Sequence, residues 1–141
     1  MSPSRTEFNA QIIDEFRANG GRVGGQFEGM SLLLLHHTGA RSAKHYVNPL
    51  AYQADDGRYV VFASKGGAPA NPAWYYNLMA HPDTTIEVGA ETIPVHAEAA
   101  SGDERERLFR TQVERVPAFG EYEQKAGGRT IPVIVLSPRR S

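Results

Sequence analysis

Residues 45–64 read HYVNPLAYQADDGRYVVFAS. Apolar and polar positions alternate on both sides of Asp55-Asp56-Gly57, and Asp-Gly between two such runs is a strong hairpin signal. Pro49 has no N–H to give to a ladder, so its strand is expected to be bulged or to lie at a sheet edge there. Upstream, MSLLLLHHTG (residues 30–39) predicts a buried strand that runs into a turn around Thr38-Gly39-Ala40. Downstream, Asn71-Pro72 predicts a helix start, with Asn as N-cap and Pro at the first helical position. Trp74/Leu78 and Tyr75/Met79 then form i,i+4 pairs, and His81-Pro82-Asp83 ends the helix. TTIEVG and ETIPVHAEAA predict a second hairpin around Gly89-Ala90. Ser101-Gly102-Asp103-Glu104 has capping-box spacing and opens a helix that turns Leu108, Phe109, Gln112, Val113 and Val116 inward. Pro117 breaks it, a short helical piece around Phe119 to Gln124 is expected to follow, and Gly127-Gly128 ends that piece. TIPVIVLS (residues 130–137) is the last strand.

Ahead of these elements Phe8, Ile12 and Phe16 recur every four residues, with Gly20-Gly21 beyond, which predicts a short amphipathic helix. The pattern leaves open whether it caps the core or lies over a ligand groove. The order α-β-β-β-α-β-β-α-β, with strands mostly joined by tight turns, favours an antiparallel barrel with helices at its openings. The chain divides into an N-terminal helical segment, residues 1–22, and a barrel domain, residues 23–141.

Composition narrows the chemistry. With 141 residues and 40% apolar content the chain suits one globular domain. It has no cysteine, which excludes disulfides, thiol redox chemistry, a Cys nucleophile and thiolate metal ligation. Lys plus Arg number 15 against 16 Asp plus Glu, so no global field steers the chain to nucleic acid or anionic lipid. MSPSRTEFNAQ lacks the apolar core of a secretory signal. The longest apolar run, Met30 to Leu35, is interrupted by Ser31 and falls far short of the roughly 20 residues that span a bilayer. No transmembrane segment and a cytoplasmic location are expected.

Two loops attract attention. In Ala63-Ser64-Lys65-Gly66-Gly67, followed by Asn71-Pro72, a strand ends in a Gly-rich loop just before a helix N-terminus. Backbone N–H groups, Lys65 and the positive helix end all favour an anion there, although the GxxxxGK[ST] order of a P-loop is missing. In Thr38 to Tyr46, Arg41 and Lys44 follow a buried strand with hydroxyls beside them, which suits a phosphate or carboxylate clamp. A flexible turn with solvated lysines is the alternative in both places. Trp74, Tyr75, Tyr76, Phe119 and Tyr122 offer either a stacking surface or ordinary core, and Tyr52 and Tyr59 read as strand side chains. His36 and His37 point to opposite strand faces and no HExxH occurs, so satisfied or exposed histidines are expected rather than a metal site. No GxSxG elbow is present, and nothing near Ser64 in the chain nominates a base for it.

LLLLHHTGARSAKHYVNPLAY, VVFASKGGAPANPAWYYNLMAHP, the alternating TIEV and RTIPVIVLSP together resemble the deazaflavin-dependent nitroreductases, members of the split β-barrel flavin/deazaflavin oxidoreductases. The resemblance covers most of residues 30–137, and SKGG…NPxWYxNLxxxP is its most specific part. It implies a mainly β split β-barrel with peripheral helices, a homodimer, and binding of coenzyme F420, an 8-hydroxy-5-deazaflavin. It also implies hydride transfer to nitroimidazoles, quinones or enone lactones. Lys65, Gly66 and Gly67 match the loop over the cofactor's phosphate and tail, and Asn48 and Pro49 the pair that lines its groove. Ala63 and Ser64 match residues near the deazaflavin ring, and Asn71, Trp74, Tyr75 and Leu78 the helix that closes over it. The family's GRKxGxxR loop reads GARSAKHYV here. Arg41 holds the second basic place, Ala40 and Tyr46 replace two arginines, and Lys44 is expected to restore part of the charge. Three substrate-facing tyrosines of the family become Val116, Phe119 and Tyr122, which favours an apolar conjugated acceptor over a nitroimidazole. The N-terminus is short for the family, which weakens any expectation of membrane association. Ser64 or Tyr122 is expected to act as the catalytic donor to the accepting oxygen. FMN ranks behind F420 as cofactor. An FMN- or haem-binding split barrel, or a non-enzymatic deazaflavin or lipophile carrier, are the alternatives, since a fold does not fix its function.

Overall fold

Leu32–Thr38 (β1) and His45–Ala51 (β2) pair antiparallel from Leu32↔Ala51 to Thr38↔His45, joined by the turn at residues 39–44. The computed structural model describes residues 5–21, 23, 31–63, 71–116, 121 and 131–139. Gln53–Asp55 (β3) and Arg58–Phe62 (β4) form the Asp-Gly hairpin. Asp56 and Gly57 have φ of 49° and 82°, the two left-handed positions that a two-residue type I′ turn requires. Asp83–Val88 (β5) and Glu91–Ala99 (β6) form the second hairpin, with Gly89 at φ 59°. Val133–Pro138 (β7) then pairs with both β6 and β4. Helices are Arg5–Ala18 (α1), Ala73–Ala80 (α2) and Gly102–Arg115 (α3).

The strands form one antiparallel sheet in the order β2-β1-β5-β6-β7-β4-β3. Its two end strands, β2 and β3, are separated along the chain by Tyr52 alone. Residues two apart lie within about 7 Å even in extended chain, so the sheet must curl until its ends meet. Tyr52 donates its N–H to Ser31 O at 3.0 Å at this corner. The expected barrel is therefore present, as a curled seven-stranded split β-barrel with peripheral helices. The run HYVNPLAYQ, read from sequence as one strand, breaks at Tyr52 because each half finds its partner at a different sheet edge. Pro49 lies on the end strand β2, as its missing donor requires.

Alternation sorts the core into an inside and two outer faces. Leu33, Leu35, Val61, Ile86, Val95, Ile134 and Leu136 fill the interior together with Trp74 and Leu78 of α2. Helix α2 thus lays its Trp74/Leu78 stripe into the barrel. Tyr52 and Tyr59 also pack against this interior, their rings 5.4 Å apart and edge-on. Helix α1 covers an outer face, with Ile12 and Phe16 against Leu32 and Leu34, which settles its role as a cap on the core. Helix α3 covers another through Leu108 and Phe109, which meet Val60, Phe62, Val133 and Val135.

Two helix starts differ from the sequence reading. Pro72, not Asn71, is the N-cap of α2, with ψ at 155°, so the first helical residue is Ala73. Ser101 caps α3 as expected, but its side chain makes no capping bond. The helical piece proposed around Phe119 to Gln124 and the Gly127-Gly128 stop lie outside the described residues, apart from the helical Glu121. Among the described residues no helix is long and apolar enough to cross a membrane.

Candidate functional site

The register that makes β1 and β2 a hairpin also decides which of their polar side chains face the barrel interior. Leu33 and Leu35 point inward, so His37 does too, and Tyr46, Asn48 and Leu50 share that face as their cross-strand partners. His37 is buried. Its Nε2 lies 2.6 Å from Asn48 Oδ1 and its Nδ1 3.0 Å from Asn77 Nδ2 on α2. Asn77 Oδ1 in turn accepts the backbone N–H of Ala40 at 2.9 Å. Tyr46, exposed, stacks on the His37 ring at 5.5 Å. Burial is the main cause that holds the His37 imidazole below its ordinary pKa; the Asn48 bond opposes this, and His45 and His36 add to the depression.

Beyond this network lies the basic turn. Gly39 N–H reaches Lys44 O at 2.8 Å, Ala43 N–H reaches Gly39 O at 3.1 Å, and Lys44 N–H reaches Ser42 Oγ at 3.3 Å. A Cβ on Gly39 would stand 2.3 Å from Ser42 Oγ, so a larger residue here would displace the Ser42 hydroxyl that accepts Lys44 N–H. Ala43 holds a φ of 60°, a left-handed conformation that costs a non-glycine residue about 1 kcal/mol. Arg41 and Lys44 are both exposed on this turn, and among the described residues neither has an ion-pair partner.

The structure thus gathers Arg41, Lys44, Asn48, Trp74 and Leu78 around β1, β2 and α2. Tyr75 packs partly against the interior beside them. Asn71 is half-buried two residues before α2. Ala63 is fully buried in the interior, where β4 ends. Pro49 pairs with Leu34 and so shares the sheet face opposite to Asn48, toward α1. Val116 is the C-cap of α3, which covers the β4–β7 side. Ser64, Lys65, Gly66, Gly67, Phe119 and Tyr122 lie outside the described residues. The sequence reading takes His37 as a satisfied or exposed histidine and does not single out Asn77, so neither is given a place in the site. Their signal was present: Asn77 is the polar letter that follows Trp74-Tyr75-Tyr76 within NPAWYYNL, and His37 sits at the inward phase of β1.

A second polar cluster lies on the opposite face of β1. His36 Nδ1 is 2.9 Å from His45 Nε2, and its Nε2 is 2.7 Å from Glu87 Oε2. Arg17 of α1 holds Glu87 with both its Nε and Nη2, and this bond is the main cause that keeps the Glu87 carboxyl below its usual range. The cluster ties α1 to the sheet. Among the described residues no group of three or more His, Asp or Glu side chains is arranged to hold a metal ion.

The arrangement suits a ligand that is anionic at one end and flat at the other. Two cations on this turn, without an ion-pair partner among the described residues, meet the first requirement, and the aromatic rings of Tyr46, Trp74 and Tyr75 meet the second. Residues 10–138 match the family model described as F420H(2)-dependent quinone reductase. The chain is 43% identical, over 109 residues, to a Mycobacterium tuberculosis protein provisionally named as such a reductase, covering 76% of this chain and 89% of that one. It is also similar to a solved F420-H2 dependent reductase, with 36% identity, a TM-score of 0.69, and coverage of 76% of this chain and 94% of that one. A second solved structure, a domain-swapped dimer, shares 32% identity with a TM-score of 0.72 and covers 95% of this chain and 100% of its own. By sequence and by fold, the chain belongs to the F420H(2)-dependent quinone reductase family.

Proposed function

We propose that this chain transfers a hydride from reduced coenzyme F420 to quinones, enone lactones or related conjugated acceptors. Membership of the family makes it an oxidoreductase of the F420-using class. The observation that carries the finer reading is the basic turn at residues 39–44, tied by Ala40 to α2 and set beside Asn48 on the inner face of β2. When bound, the deazaflavin supplies the hydride. The residues of the chain position and stabilise. Arg41, Lys44 and Lys65 hold the phosphate end, with Gly66 and Gly67 letting the backbone approach. Asn48, Ala63, Asn71, Trp74, Tyr75 and Leu78 surround the ring end. Val116 and Phe119 wall the acceptor, and Tyr122 or Ser64 donates to the oxygen on which negative charge develops.

The test is an absorbance and fluorescence titration of the protein with F420, FMN and haem, followed by turnover of reduced F420 with a quinone. F420 is expected to bind preferentially. Each charge-assisted phosphate contact contributes about 1.5–3 kcal/mol, so Arg41→Ala and Lys65→Ala should each weaken F420 at least roughly tenfold. Preference for FMN or haem, or F420 binding without turnover, would overturn the reductase reading.

The chain is further proposed to act as a homodimer. Tyr46, Tyr76 and Met79 are large apolar side chains left exposed near the β2 edge and on α2, the kind of surface that a second copy covers. Sedimentation at micromolar concentration is expected to give about twice the chain mass of 15.5 kDa. A single species at the monomer mass, with and without F420, would refute the dimer.

A further inference from the structure

We infer that Asn77, with His37 behind it, is the positioning residue that sets the basic turn for the cofactor's anionic end; this rests on the proposed function of that turn. Asn77 stands five residues beyond Pro72, in the middle of α2, where a polar side chain normally faces water. Here it faces the sheet. The orientation of its amide is not free, because Ala40 N–H is a donor and must meet an oxygen, so Oδ1 faces the turn. The amide Nδ2 therefore faces His37, and His37 Nδ1 must accept. The proton of the neutral ring then lies on Nε2, which donates to Asn48 Oδ1. One backbone N–H thus polarises a chain of three hydrogen bonds in a single direction, from the turn through α2 and β1 to β2.

Two consequences follow for the site. The turn's other hydrogen bonds among the described residues join Gly39, Ser42, Ala43 and Lys44 to one another. Among the described residues the Ala40–Asn77 bond is the one that fixes the turn to a neighbouring element, and it does so beside a left-handed Ala43. Without it, Arg41 and Lys44 keep their charges and lose their placement. At the other end, the bond from His37 orients the Asn48 amide, with Oδ1 toward the ring and the Nδ2 donor directed away from it. The network also demands a neutral His37, since a proton on Nδ1 would oppose Nδ2–H of Asn77. Its surroundings keep it so: the ring is buried, Tyr46 covers its face, and His45 and His36 add to the effect of burial.

The experiment compares Asn77→Ala and Arg41→Ala in F420 affinity, in kcat at saturating F420, and in the ring ¹⁵N shifts of His37. Asn77→Ala is expected to weaken F420 about tenfold while kcat at saturation stays within about twofold. The wild-type ring should show the Nε2–H tautomer at pH 7. In Asn77→Ala that tautomer preference should be lost. If Asn77→Ala binds F420 as tightly as wild type while Arg41→Ala does not, the positioning role is overturned and the proposed function stands. If neither substitution weakens F420, the turn is not the anion site and both fall. Should Asn77→Ala fail to fold, the wild-type spectrum decides, because an Nδ1–H or charged His37 at pH 7 would break the relay.

Discussion

Leu78→Ala is expected to destabilise the protein by about 2–5 kcal/mol, the range for truncating a fully buried leucine. Leu78 is 0% exposed and lies among the barrel's interior side chains, next to Trp74 of the same helix. The loss has two parts: the transfer free energy of the missing methyl groups, and the cavity that remains because the surrounding strands are held by their ladders. Helix α2 is short, and an isolated helix of this length does not form in water, so its stability comes from this stripe rather than from propensity. Met79, one position on, is 37% exposed and serves as the control, with Met79→Ala expected to stay within about 0.5 kcal/mol. Urea unfolding followed by circular dichroism measures both. A Leu78→Ala loss below about 1 kcal/mol would mean that α2 does not plug the barrel.

The second large effect concerns turnover. A steady-state comparison of one quinone, one α,β-unsaturated lactone and one nitroimidazole with reduced F420 is expected to favour the first two. In the proposed roles Val116 and Phe119 give the acceptor apolar neighbours, which suit a conjugated carbonyl and would leave the nitro oxygens of an imidazole without partners once they have left water. Tyr122→Phe is expected to lower kcat on the enone by about 10²-fold with a smaller change in KM, since the charge it meets develops in the transition state. A preference for the nitroimidazole would refute the wall. Full kcat in Tyr122→Phe would pass the donor role to Ser64.

Hairpins were the legible part of this chain, because their determinants are local. Asp55-Asp56-Gly57 and Gly89-Ala90 carry their turn chemistry in two or three letters, and the structure places both turns there. The break at Tyr52 has no such letters. HYVNPLAYQ shows continuous strand character, and only the distant partners, β1 on one side and β4 on the other, divide it. The start of α2 slipped by one residue because Asn-Pro fits two readings, and Pro72 takes the extended conformation of an N-cap. Arg41 and Lys44 were legible as charges in a loop. What holds them was not, since Asn77 is 37 residues from Ala40 and 40 from His37. A histidine in a strand and an asparagine in a helix carry no mark of each other until the sheet register and the helix phase bring them together.

The corner at Tyr52 bears on how this chain can change its length. Most turns on the surface accept an extra residue at little cost, and the exposed Asp56-Gly57 turn, with nothing within 4 Å of a Cβ placed on Gly57, is such a place. Tyr52 is not, although it too lies between two strands. Side chains alternate with a period of two, so one residue inserted here must be taken up as a bulge or it turns a whole strand over. Turning β2 over would send Asn48 and Leu50 outward and Pro49 inward; turning β3 over would carry the buried Gln53 off α3, where its Nε2 donates to Leu108 O, to the side of the sheet that Tyr59 shares with the interior. The single residue that joins the two ends of the sheet therefore acts as a reading frame for both.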